Sequence, residues 1–292
     1  MADVESIIAL INLIDDPDEN IFLHVRDRLL KYGPDAIPYL ENSWEVKDFG
    51  MLFQNRIENL IHEIQFEDSK NELLKWKNSS EKDLLKGAIL IAKYQYPGLH
   101  DEKVYAEIER IQKDIWLEIN NKQTALEKVY IFNKVIFDLH HFHGDAKHFH
   151  SPLNSYINTV LETKKGNPLS LSIIYSVIAQ NLNIPIYGVN LPNHFVLAFL
   201  DEFGVRKYIA EENKHGVLFY INPFSKGTVF DENEIKSFLT GINQPHLKEY
   251  FEPCSNTSIL KRMLTNLISS FQEVGNSEKV KELIELRELL ED

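Results

Sequence analysis

The chain carries eleven histidines but a single cysteine, and their positions decide which chemistry is open to it. Five histidines, His140, His141, His143, His148 and His150, crowd the stretch LHHFHGDAKHFH, with Asp138 and Asp145 close by. Imidazoles and carboxylates at such spacing can ligate zinc or another divalent cation. No cysteine accompanies them and no HExxH pair is present, so the ligand types lack a fixed geometry; no metal and no other cofactor is expected. Cys254 stands in a Pro253-Cys254-Ser255 loop, away from any helix start or histidine that would lower its pKa, and reads as a passive thiol. His194, in Pro192-Asn193-His194-Phe195, opens a strand-like apolar run. There an imidazole is either a base in a pocket or the partner of a buried backbone carbonyl.

The elements that must position these groups are mostly helical. Over the first hundred residues apolar positions recur at helical spacing between short breaks, as with Ile21, Phe22, Val25, Leu29 and Leu30 before Gly33-Pro34. Asp15–Glu41 reads as one HEAT-type hairpin or as an ordinary antiparallel helix pair. Residues 101–136 continue as helix, with Ile108, Ile111, Ile115 and Ile119 on one face and Leu126, Val129, Tyr130, Asn133 and Phe137 on the next. Pro168 suits a helix's first turn, where its missing N–H is not needed. The helix it opens runs to about Leu182 and is apolar apart from a narrow stripe of Ser172, Ser176 and Gln180, so it is central and buried. Short β-rich runs follow: Ile186–Asn190, His194–Leu200, Arg206–Ala210 and Val217–Asn222. Asp231 and Glu234 fit a capping box loosely. The last thirty-five or so residues form two amphipathic helices split by Gly275-Asn276-Ser277, a tetratricopeptide-like hairpin or a plain helical pair.

The balance of 31 Lys+Arg against 44 Asp+Glu gives a net charge of −13, which disfavours nucleic acid and anionic lipid as partners. No apolar run approaches ~18 residues, so no membrane span is expected. The start MADVESIIALINLIDD has no basic region and no small-residue cleavage site, so no leader is expected. A lone cysteine fits a reducing compartment, and cytoplasm is the expected location.

One stretch carries a family resemblance. NSYIN (Asn154–Asn158), KGNP (Lys165–Pro168) with its apolar helix, NIP (Asn183–Pro185), PNHF (Pro192–Phe195) and INPF (Ile221–Phe224) follow one another in an order and spacing that resembles the transglutaminase-like core of the bacterial SirB family. The resemblance implies an α+β fold, mostly helical, with a small antiparallel sheet packed on a central helix. It further implies a helical, HEAT-like region over residues 1–100, the core over 101–250 and a tetratricopeptide-like hairpin over 251–292. Active relatives place a cysteine at the start of the central helix, then a histidine and an aspartate on successive strands. Here Pro168 stands at the nucleophile position, His194 at the histidine and Asn222 at the aspartate. A proline ring cannot attack, and an asparagine offers no charge to an imidazolium; in a serine protease the corresponding Asp-to-Asn change costs about 10⁴-fold in turnover.

Two functions are therefore weighed. The first is a non-catalytic binding or scaffold module for a protein or peptide, with a remnant cleft at Pro168, Ser170, His194 and Asn222 that apolar side chains have filled. The second is a hydrolase or amidase in which His194 activates water or Ser170, the hydroxyl nearest the lost nucleophile.

Overall fold

The computed structural model describes residues 4–44, 50–201 and 215–291. Two compact units divide the chain, one of Met1–Lys75 with Lys93–Pro97 and one of Trp76–Ala92 with Gly98–Asp292. The first contains α1 (Val4–Ile11), α2 (Glu19–Tyr32), α3 (Ile37–Trp44) and most of α4 (Met51–Asn78). Asp18 starts α2 by accepting the Asn20 N–H at 2.9 Å, and Gly33 ends it at φ +60°, a conformation that favours glycine. Pro34 then opens the short turn into α3. Val25 and Leu29 join Ile7, Leu10, Leu40 and Phe53 in this unit's core, while Phe22 and Leu30 flank it and Ile21 faces outward. Arg56 closes the α1–α2 connection. Its Nη1 donates to the carbonyls of Ile14 and Asp16, each at 2.8 Å, and its Nη2 reaches Glu19 at 2.7 Å.

The second unit contains most of α5 (Leu84–Gln95), then α6 (Asp101–Glu118) and α7 (Ala125–Asn133), which runs into a π-helical turn, Lys134–Leu139. Along α6, Val104, Ile108, Ile111 and Ile115 are buried as the period predicts. The face predicted next is corrected: Leu126 and Tyr130 are exposed, whereas Val129, Phe132, Ile136 and Phe137 are buried. The π turn slips the helical phase, so that consecutive residues reach the core after Asn133.

A two-residue parallel pair, β1 (His143–Gly144) with β2 (Lys165–Gly166), brackets α8 (Ile157–Thr163) and leads to the central helix α9 (Pro168–Asn181). Four antiparallel strands follow in sheet order: β3 (Ile186–Leu191), β4 (His194–Leu200), β5 (Val217–Asn222) and the short β6 (Thr228–Phe230), which was not anticipated. The predicted strand Arg206–Ala210 lies outside the described residues. Then come α10 (Glu232–Gly241), capped by Asp231, and the hairpin of α11 (Asn256–Glu273) and α12 (Ser277–Leu289). The fold is α+β, mostly helical, with the sheet packed on α9. No helix among the described residues is long and apolar enough to cross a membrane.

The sheet is covered on both faces, which explains the unbroken apolar run of β4. Val196 and Ala198 join Val189, Leu191 and Tyr220 against Ile235 and Leu239 of α10. Side chains alternate along a strand, so Phe195, Leu197 and Phe199, also buried, take the opposite face, where α9 lies against β3 and β4. Helix α9 is buried from Pro168 to Ala179. Of the polar stripe read from the sequence, the two serines do not meet solvent and Gln180 is half-buried. Ser172 and Ser176 are buried and donate back to the Pro168 and Ile173 carbonyls, at 2.7 and 3.2 Å.

Behind α9, Tyr175 Oη donates to Asn133 Oδ1 at 3.1 Å and Asn133 Nδ2 donates to the Gly227 carbonyl at 2.9 Å, tying the β5–β6 turn to α7. Gly227 sits at φ +72°, and a Cβ there would overlap the Asn133 side chain at 1.8 Å. Gly227→Ala should therefore lower stability by about 1–3 kcal/mol, the usual cost of a strained backbone residue, as read by urea unfolding. An unchanged unfolding midpoint would contradict this packing.

Candidate functional site

The N-terminus of α9 is built from a buried polar network. Asn167 caps the helix: its Oδ1 accepts the Ser170 N–H at 2.9 Å, and Ser170 Oγ accepts the Asn167 N–H at 3.0 Å, a reciprocal capping box. Asn167 Nδ2 donates to Ser155 Oγ at 2.9 Å, and the Ser170 hydroxyl donates to the Asn154 carbonyl at 2.7 Å. The loop that supplies Asn154 is held in turn by Asn154 Nδ2 donating to the His148 carbonyl at 2.7 Å. Pro168 at N1 needs no acceptor. The next amide, that of Leu169, has none among the described residues.

At this terminus opens a cleft of about 360 Å³ lined by Pro168, Leu169, Ser155, Asn193, His194, Phe149 and His150, and by Arg262, Asn266, Ser269 and Ser270 of α11. Its lining mixes polar and apolar groups in about equal measure and side chains leave it unfilled, which corrects the expectation of a cleft filled by apolar side chains. The structure thus brings Pro168 and His194 together across 26 residues of sequence. It does not bring the other two candidates. Ser170 is buried with its hydroxyl proton on the Asn154 carbonyl, and Asn222 caps the turn after β5 by accepting the Ser225 N–H at 3.3 Å; neither lines the cleft. Both are held by local backbone groups that need a partner, and that need outranks a catalytic alignment.

His194 pairs in register with Leu191, and its ring centroid lies 6.2 Å from that of Phe238 on α10. Its imidazole has no hydrogen-bond partner among the described residues. Burial, and then the nearby Arg262 guanidinium, push its pKa below the ordinary histidine value, so the ring is neutral at pH 7. Arg262 is the residue the sequence did not single out. Its Nη1 donates to Asn190 Oδ1 at 3.1 Å and to the Leu191 carbonyl at 3.2 Å, tying α11 to the turn that carries His194. No carboxylate pairs with it among the described residues, and burial lowers its pKa without a compensating anion. The signal was present in the sequence as Arg262, Asn266, Ser269 and Ser270, a polar stripe at helical spacing opposite the apolar face of α11.

The histidine-rich loop does not converge. His140 is buried with Nε2 2.8 Å from Asp114, His143 Nδ1 meets the His141 carbonyl at 3.0 Å, His148 lies 3.4 Å from Asp145, and His150 lies 3.3 Å from Glu273. No three His, Cys, Asp or Glu side chains gather as metal ligands among the described residues. Cys254 is half-buried behind β3, its N–H donating to the Gly188 carbonyl at 2.9 Å, and burial pushes its thiol pKa up to about 11.

The lowered His194 pKa has a sign. The unfolded chain, with a histidine near 6.5, binds the proton before the folded one, so stability falls as pH drops below about 6.5. His194→Gln should flatten that slope in urea unfolding between pH 7.5 and 5.5. Arg262→Met should move the His194 ring titration, followed by NMR, upward; a downward move or none would show that the guanidinium is not felt at the imidazole.

A profile of the transglutaminase-like superfamily matches residues 102–265, a span that includes Pro168, His194 and Arg262 of the cleft. The chain is similar to the UPF0162 protein of Xylella fastidiosa strain Temecula1, 27% identical over 215 residues that cover 67% of this chain and 69% of that protein. It is also similar to the UPF0162 protein of Vibrio cholerae, 25% identical over 191 residues that cover 64% and 66% of the two chains. Human F-box only protein 21 is 30% identical over 167 residues, covering 54% of this chain and 24% of that protein. The match thus spans about two thirds of the length of the bacterial relatives and about a quarter of the F-box protein. No solved structure matches the chain. With more than half of its residues inside the family profile, the chain belongs to the transglutaminase-like superfamily.

Proposed function

We propose that the chain is a non-catalytic, SirB-type member of this superfamily that binds a protein or peptide segment in the cleft at the start of α9, in the cytoplasm, with its HEAT-like and tetratricopeptide-like helical ends adding contact surface. The observation that carries the reading is what faces His194. At the nucleophile position stands Pro168, no carboxylate among the described residues lines the cleft to orient the imidazole, and burial together with the nearby guanidinium opposes formation of an imidazolium. Covalent acyl transfer needs a nucleophile, a base and an orienting acid in mutual reach. A binding cleft needs none of them. The hydrolase alternative would have His194 activate Ser170 or water, and the Ser170 hydroxyl is already committed to the Asn154 carbonyl. Similarity to a minor part of F-box only protein 21 is what a module set into different larger proteins would give.

The purified chain should release neither ammonia nor amine from glutamine-containing or other amide peptides. Pro168→Cys should place a thiol at a helix start beside Arg262, lowering its pKa, so that iodoacetamide at pH 6 labels it at least about tenfold faster than Cys254. Amide turnover should still be absent, because Asn222 leaves His194 unoriented. Wild-type turnover that disappears in His194→Ala or Ser170→Ala would overturn the non-catalytic reading.

A further inference from the structure

The cleft differs from the rest of the molecule in charge. Among the described residues no Asp or Glu lines it, in a chain that carries 44 of them. A second cavity of about 490 Å³ shows the ordinary situation: Lys103 and Lys164 share its wall with Glu107 and Glu162, and Lys164 pairs with Glu107. At the cleft, Arg262 has no such partner. Its two hydrogen bonds both leave from Nη1, so Nη2 and Nε remain uncommitted. That edge of a guanidinium carries two parallel N–H groups, which match the two oxygens of a carboxylate. Leu169, whose N–H at the positive end of α9 has no acceptor among the described residues, lines the same cleft. Asn266, one turn beyond Arg262, has a side-chain amide with no hydrogen bond among the described residues and can meet a peptide group next to the anion.

Resting on the binding reading above, we propose that this cleft is a carboxylate-binding site that takes the C-terminal carboxylate of a peptide, gripped by the Nε–Nη2 edge of Arg262 and the Leu169 N–H. The charge count selects a monoanion. Arg262 supplies the one fixed positive charge without a partner, since His194 is neutral and His150 lies against Glu273. A phosphate dianion would enter with about one charge uncompensated, in a protein whose net charge is already −13.

The test is an NMR titration of the whole chain, following the His194 ring and the Arg262 Nε–H, with N-acetyl-Ala-Ala as free acid, the same dipeptide as C-terminal amide, and inorganic phosphate. The free acid should shift both signals saturably. The amide should bind about 10- to 100-fold more weakly, the range for a hydrogen bond to a charged group. Arg262→Lys, which keeps the charge and loses the fork, should weaken the acid by at least about tenfold and narrow the acid-to-amide ratio. Because Arg262 also holds the β3–β4 turn, the acid-to-amide ratio in the unaltered protein decides the matter without any variant. Equal shifts with acid and amide would overturn the carboxylate assignment and leave a peptide-binding cleft standing. Phosphate binding more tightly than the acid, or no shift with any probe at about 50 mM, far above ordinary millimolar affinity, would overturn the assignment; hydrolysis of the amide probe would overturn the binding reading beneath it.

Discussion

Helix α9 is buried from Pro168 to Ala179, and a helix start set in the core has backbone amides that must find partners there. Each such amide left unpaired costs on the order of 1–3 kcal/mol. The reciprocal bonds between Asn167 and Ser170, with Ser155 and Asn154 behind them, solve this problem from inside the core. The sheet, the β1–β2 pair and the loop through His148 are then arranged around a fixed helix origin. Gly166 belongs to the same constraint, since a Cβ there would stand 2.6 Å from Ser170 Oγ.

That solution determines which residues near the helix start remain free for a ligand. Ser170 is consumed by the cap and Pro168 offers no donor, so among the described residues the backbone amide left at the helix start is that of Leu169. A cysteine at the Pro168 position would have stood at the positive end of the helix dipole, where a thiolate is stabilised. Proline keeps the helix geometry, with φ preset, and removes the chemistry. The cleft itself remains, because its walls belong to the cap, the β3–β4 turn and α11, none of which depends on a nucleophile.

Much of this was legible in the sequence because it depends on local rules. Pro168 marks the start of α9, the Gly33-Pro34 break separates α2 from α3, and the β3 and β4 runs stand out through their apolar and β-branched content. What escaped was set by tertiary demands. On α7 the buried face runs through Val129 and Phe132 rather than Leu126 and Tyr130, and the π turn after Asn133 then brings consecutive residues to the core, a slip that no periodic pattern encodes. Asn222 aligned with a catalytic aspartate, yet in space it satisfies the Ser225 N–H. The histidines of the loop looked like a metal set and dispersed, because Asp114, Asp145 and Glu273 stand apart from one another and each attracts a different ring. Arg262 lay far from the matching motifs, on a helix whose polar stripe resembles any solvated face.

Arg262 also explains why the site is coherent. One nitrogen of its guanidinium ties α11 to Asn190 and Leu191, so the turn that presents His194 is held by the same side chain that faces the cleft. A lysine has one point of charge and could not hold the turn and present a two-toothed edge at once. Burial, and then the same cation, lower the histidine's basicity, and among the described residues no carboxylate reverses the effect. A catalytic imidazole requires the opposite neighbour, an acid that orients it and stabilises its protonated form. Under the reading proposed above, a guanidinium in place of that acid suits a cleft that holds a negative charge rather than one that moves protons.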